Sequence, residues 1–176
     1  MVFTHDTEAA LLAAVALVNS ASAPDTMTSV DELAAYLDEH GFTGTRTGDA
    51  AELASVRALR PRLRQLLTGD RDTSAGLVND LLGEEQALPQ LVRHGEHDWH
   101  VHAVAPDAPV ATRMAVEAAM AMIDVIRADE MSRLDVCADP DCDGLVLDLS
   151  RNRSRRFCST ACTNRAAVAA YRARQR

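Results

Sequence analysis

All four cysteines of this 176-residue chain, Cys137, Cys142, Cys158 and Cys162, fall in its last quarter. They form Cys-x4-Cys, a gap of fifteen residues, then Cys-x3-Cys. In a reducing compartment two short-spaced pairs at this distance predict a zinc site, because thiolates are soft ligands and a tetrahedral centre closes when two chelating turns are brought together. Two disulfides or four free thiols are the alternatives, and a cytosolic setting disfavours the first. Four protein ligands leave no open position, so the one Zn2+ expected per chain is structural rather than catalytic.

A metal also answers a folding question. Residues 132–176 hold few large apolar side chains, chiefly Leu145, Val146, Leu147, Leu149, Phe157, Val168 and Tyr171, too few for an independent core. Leu145–Leu149 reads as a strand, 150–154 as a turn, and Arg155–Cys158 as the returning strand. Ser159 is a natural N-cap for a helix over 160–174 that carries Cys162 in its first turn, where the helix dipole favours a thiolate. Turn, hairpin and helix in that order make a treble-clef-like module.

The remaining 131 residues predict a mainly α domain with one β-hairpin. Aromatics make up only 3% of the chain, so Ala, Leu and Val must build the core, and they suit close-packed helices. Helical spacing runs over 7–19. Ser29 and Glu32 form a capping-box signature for a second helix. A third runs from 49 to about 67, where Pro61 predicts a kink or restart. A shorter helix covers 73–82, and a long one about 110–134. Between the last two, 88–92 and 99–104 read as a hairpin.

Charge divides the chain at the same place. Every basic residue is Arg; residues 1–130 carry nine against 21 acids, whereas 131–176 carry nine against five. From Leu149 onward there are eight Arg and no acid. An acidic body with a basic end predicts an anionic partner, DNA foremost. Arg151, Arg153, Arg155, Arg156, Arg165 and Arg172 are the candidates for phosphate contact, the first three on one side if their segment is extended. Asn152, Asn164 and Arg165 are the candidates for base edges. Asn164 and Arg165, each beside a ligand cysteine, have the alternative of supporting the metal site. The apolar run at 9–18 has acidic flanks and is no secretory leader, and no apolar stretch is long enough to cross a membrane, so a cytoplasmic protein is expected.

The motif residues carry a resemblance. Cys-x4-Cys, Leu147-Asp148, the run Ser150-Arg151-Asn152-Arg153-Ser154-Arg155-Arg156-Phe157-Cys158-Ser159, and Cys162-Thr163-Asn164-Arg165 together resemble the CGNR zinc-finger family. Leu17-Val18-Asn19-Ser20 and Leu59-Arg60 are similar to motifs of its N-terminal ABATE domain. Thr163 stands where the family has Gly, and Ala16 where it has Asp. The resemblance implies a bacterial transcription regulator whose zinc module binds DNA.

Weaker signals complete the reading. His94, His97, His100 and His102 crowd the hairpin, with His100 and His102 on one face, so a metal-dependent enzyme there is an alternative. No phosphate-binding glycine loop, dinucleotide fingerprint or serine-nucleophile elbow is present, and no catalysis is expected. A sensor pocket for a small-molecule effector would be lined by Asn19, Arg60 and Trp99, whose plainer roles are a helix cap and core. The module could instead serve protein interaction, including homodimerisation.

Overall fold

The computed structural model describes residues 2–93 and 99–175. Five helices come first: α1 (His5–Asn19), α2 (Val30–Glu39), α3 (Ala50–Thr68), α4 (Arg71–Glu84) and, after a hairpin of β1 (Gln90–Val92) and β2 (His100–His102), α5 (Val110–Arg127). A second hairpin, β3 (Leu134–Val136) and β4 (Leu145–Leu147), and a sixth helix, α6 (Thr160–Arg174), complete the chain. Both sheets are two-stranded and antiparallel. The fold is mainly α with small β elements.

Caps set the helix starts. Ser29 and Glu32 form the full capping box, and Asp49, Asp70 and Ser159 each accept an amide from the first turn of α3, α4 and α6. α3 runs unbroken through Pro61, so the expected restart does not occur. Its buried row Leu53, Val56, Leu63, Leu66 and Leu67 continues across the proline, and packing outweighs one missing amide.

α5 is the hub on which α1, α3 and α4 pack. Of its residues Met114, Ala115, Ala118, Ala119, Met122 and Val125 are buried, and the alanines let neighbouring helices approach closely. The helix ends at Arg127, seven residues before the expected 134. Asp129 adopts φ +57, the Glu130 amide donates to the Val125 carbonyl at 2.9 Å and the Asp129 amide to that of Ile126 at 3.2 Å. This is a Schellman stop with Asp in the left-handed position where Gly is usual, hence its invisibility to periodicity. The freed Leu134 starts β3 instead.

That change re-pairs the second hairpin. β4 pairs with β3, Leu134 opposite Leu147, and not with Arg155–Cys158, which form no strand. The Asp148 carboxylate accepts the amides of Ser150 (2.8 Å) and Arg155 (2.7 Å), and Arg153 at φ +47 turns the chain out of line. The returning segment is held by the first cysteine turn, the Ala138 amide donating to the Arg156 carbonyl at 2.8 Å.

Leu134, Leu145 and Leu147 belong to the same apolar core as α1, α3 and α5. The module's missing core is thus supplied in part by the helices. Polar ties reinforce the seam. The Asn19 side chain donates to the Leu145 carbonyl at 2.9 Å and accepts its amide at 2.6 Å, while Arg64 donates to the Asp143 carbonyl.

Candidate metal centre and its arginine surround

The sulfur atoms of Cys137, Cys142, Cys158 and Cys162 all lie within 4.8 Å of one another. Cys142 and Cys158 are separated by 3.5 Å, and Cys158 and Cys162 by 3.6 Å. A tetrahedral zinc with bonds of about 2.3 Å requires sulfur separations of about 3.8 Å, so the cluster has the size of one zinc ion.

Each sulfur is placed by local structure. Cys137 and Cys142 flank a tight turn in which the Cys142 amide donates to the Asp139 carbonyl at 3.0 Å and the Cys137 amide to the Gly144 carbonyl at 2.7 Å. Cys158 precedes the α6 cap and Cys162 sits in its first turn. Amides of Gly144 and Cys158 donate to the sulfurs of Cys142 and Cys137, each at 3.4 Å. A Cβ on Gly144 would lie 3.0 Å from the Cys158 sulfur and 3.3 Å from that of Cys142, so a side chain there would press the turn away from the cluster.

The electrostatics of the cluster favour a cation once the thiols ionise. Burial pushes the Cys158 thiol up, and the three neighbouring cysteines push it further. Four thiolates at this spacing repel one another unless a metal neutralises them. Soft donors, tetrahedral spacing and closure on all sides fit one structural zinc, held by these four residues. Among the described residues no other group is arranged to hold a metal.

The arginines divide into two sets. Arg165 donates to Asp139 Oδ2 at 2.7 Å and to the Cys162 sulfur at 3.1 Å, so it braces the metal site across the two cysteine turns. Burial alone would raise Asp139, but the Asp141 amide and the Arg165 guanidinium outweigh it and hold the carboxyl below its ordinary range. Arg153 donates to Glu130 at 2.9 Å and to Ser132 at 3.0 Å, which breaks the expected one-sided row of Arg151, Arg153 and Arg155. Among the described residues the Arg155 side chain reaches only the carbonyls of Phe157 and Cys158, at 3.4 and 3.3 Å. Arg151, Arg156 and Arg172, with Asn152 and Asn164, are exposed, and no hydrogen bond or ion pair holds their side chains among the described residues.

Asn19, Arg60 and Trp99 do not meet in a pocket. Asn19 is committed to β4; Arg60 is buried and doubly hydrogen-bonded to Asp25 at 2.9 and 3.1 Å; Trp99 is 63% exposed. A cavity of about 300 Å³ in the helical part lies elsewhere, at the starts of α3 and α5 beside Glu52 and Pro109. His100 and His102 do share a face, their Nε2 atoms 2.9 Å apart; His94 and His97 lie outside the described residues.

Three contributors escaped the sequence reading. Arg133 is buried and donates to the carbonyls of Asp148 (2.9 Å) and Ser150 (3.1 Å), and Asp148 ties the arginine loop together. Asp139 anchors Arg165. Asp139 lies between the first two ligand cysteines and Asp148 is itself a motif residue whose role was not read; Arg133 carried no sequence signal.

With this geometry, two family comparisons fall into place. Residues 12–129 match the ABATE family, described as "Putative stress-induced transcription regulator", and 133–175 match the CGNR zinc finger. The chain belongs to the ABATE family and carries a CGNR zinc finger. No curated protein matches it. The finger begins where the α5 stop ends, and its last ligand opens the Cys162-Thr163-Asn164-Arg165 motif. In this chain the motif's arginine is spent on the metal site.

Proposed function

We propose that this ABATE–CGNR protein is a cytoplasmic, non-enzymatic regulator of transcription whose zinc finger binds DNA. The observation that carries the reading is the charge of the finger. From residue 149 on, eight arginines stand without one acid around a closed thiolate centre, and Arg151, Arg156 and Arg172 have no internal partner among the described residues. A four-thiolate zinc centre carries −2, so the field stays positive. The family description supports the regulatory role.

Contacts to the phosphate backbone give affinity; Asn152 and Asn164, both exposed, are the side chains we assign to base edges. Arg165, bound to Asp139 and Cys162, is not free for that work. The ABATE domain contacts the finger through Asn19 and Arg64, the ties through which an effector bound to it would reach the DNA-binding surface. The test is fluorescence anisotropy of the zinc-loaded protein on duplex DNA across a salt series. With Arg151, Arg155, Arg156, Arg172 and Arg174 on phosphates, the log–log slope should be about −4 to −5. A flat salt dependence overturns the reading.

A second reading has its own observation. Leu91 and Val101 face each other across the first hairpin and are both exposed, with Leu88 and Trp99 exposed nearby. This apolar face suits self-association, and a species that still sediments as a monomer at high concentration in analytical ultracentrifugation would exclude it.

A further inference from the structure

The zinc finger carries a cleft of about 280 Å³ between its β3–β4 hairpin and the arginine loop. One wall is Ser132, Asp135 and Val136; the other is Arg153, Arg155 and Arg156, with Asp148 and Arg133 behind. Its shape is fixed before anything binds. Asp148 ties the two ends of the loop through the Ser150 and Arg155 amides, the Ser150 hydroxyl accepts the Ser154 amide at 3.2 Å, and Arg133 holds the Asp148 and Ser150 carbonyls from beneath. The cost of ordering the loop is met on folding rather than on binding.

The cations in this cleft are not equivalent. Arg133 and Arg153 are both paired with Glu130, at 2.8 Å each. Arg155 makes only two long bonds to carbonyls, and Arg156 makes none among the described residues. Arg155 and Arg156, adjacent in sequence, therefore both line a preformed recess and keep guanidinium donors to spare. The charge can be counted: Arg133, Arg153, Arg155 and Arg156 stand against Asp135, Asp148 and Glu130, an excess of one positive charge. That complements a phosphodiester, which carries one negative charge, better than a phosphate monoester or inorganic phosphate, which carries nearly two. Exposed Val136 offers an apolar wall to a sugar. Asp135, also exposed, opposes surplus negative charge.

We infer that this cleft seats one phosphodiester of a nucleic-acid strand, with Arg155 and Arg156 as its donors and Asp135 as the group that discriminates against doubly charged phosphates. The inference rests on the nucleic-acid reading above and deepens it by naming the seat. Arg153 and Arg165 hold the frame.

The experiment is an amide-resolved NMR titration of the full zinc-loaded chain with thymidylyl-thymidine, which has a single phosphodiester, and separately with inorganic phosphate, alongside duplex anisotropy. The dinucleotide should shift the Val136, Ala138 and Arg156 amides at millimolar concentration, and inorganic phosphate should need several-fold more. Arg155→Gln with Arg156→Gln should abolish these shifts and make the duplex salt slope shallower by about 2. Asp135→Asn should narrow the gap between the two ligands. Cobalt substituted for zinc checks by its absorption that each variant keeps its metal site. If the duplex binds with its full slope in the double variant and the cleft amides stay still, the seat is wrong and DNA binding stands. If the cleft amides respond to the dinucleotide while the duplex fails to bind, the seat stands and duplex recognition falls. Inorganic phosphate binding as tightly as the dinucleotide overturns the diester assignment.

Discussion

The helical part and the zinc finger are held together by opposite means. In the ABATE domain, α1, α3 and α4 bury leucine, valine and alanine against α5, and its buried Arg60 and Arg113 are turned inward onto Asp25 and onto the carbonyls of Thr43, Thr45 and Ala108. In the finger only Cys137, Val146 and Cys162 form a buried cluster of their own. Sulfur ligands and polar ties do what the side-chain core does in the other half. A surface with little core beneath it can carry an excess of arginine, and the chain's net positive charge lies there, nine Arg against five acids in residues 131–176. The two halves are nevertheless not independent, because Leu134, Leu145 and Leu147 of the finger complete the helical core.

Removing the metal breaks the comparison most severely. Structural zinc contributes an apparent ~10–16 kcal/mol in small modules. Exhaustive chelation should therefore unfold the finger beyond Leu147 while α1–α5 remain. Circular dichroism should lose the α6 contribution and keep most of its helical signal, and free-thiol titration should rise to four per chain, matching the cysteines in the sequence. Retention of the full spectrum with all four thiols reactive would falsify the division of labour. Collapse of the whole spectrum would show that the finger's leucines are indispensable to the helices.

How far the sequence disclosed this arrangement follows the same division. The four cysteines were legible because ligand chemistry forces residue type and spacing together, and Ser159 and Ser29 because a cap is a local bargain between one side chain and one amide. The strand partner of β4 was not legible. It depended on α5 stopping at Arg127, and that stop uses Asp129 in a conformation for which Gly is the usual signal. The arginine stripe failed for a related reason. Period two holds only for extended chain, and Asp148 folds the loop by hydrogen bonds that no alternation pattern encodes. Asn19 and Arg60 read from the sequence as pocket lining, but both spend their polar groups within the protein as tertiary ties.

Leu145→Ala probes the seam directly. Leu145 is 2% exposed and is packed in the helical core although it belongs to the finger. Its truncation should cost about 2–5 kcal/mol, and in urea the loss should appear in the unfolding of α1–α5, not in zinc affinity alone. Asn19→Ala acts on the same strand more gently. It strips both polar partners from the Leu145 backbone, and unsatisfied groups of this kind cost about 1–3 kcal/mol. Faster amide hydrogen exchange at Leu145, with the cobalt spectrum unchanged, would locate the damage at the clasp; an unaltered midpoint and exchange rate would remove Asn19 from the account.

The smallest effect separates the halves by the sign of their response to pH. Glu117 on α5 is largely buried, and desolvation raises its carboxyl from 4.5 to about 7, opposed by the nearby Arg113 and His100. A carboxyl with a raised pKa in the folded state binds more protons folded than unfolded between those two values. Its contribution to stability is therefore fully present below 4.5 and lost as pH rises through about 7. Between pH 6 and 8 the loss is roughly 1 kcal/mol, a few degrees in Tm. The finger responds the other way, because acid protonates thiolates and releases zinc. With zinc in excess, Glu117→Gln should flatten the helical transition between pH 6 and 8 and leave the acid loss of the cobalt absorption untouched. An equal pH dependence in wild type and variant would mean that Glu117 ionises without cost, and that the helical half is as indifferent to protons as its apolar packing alone would make it.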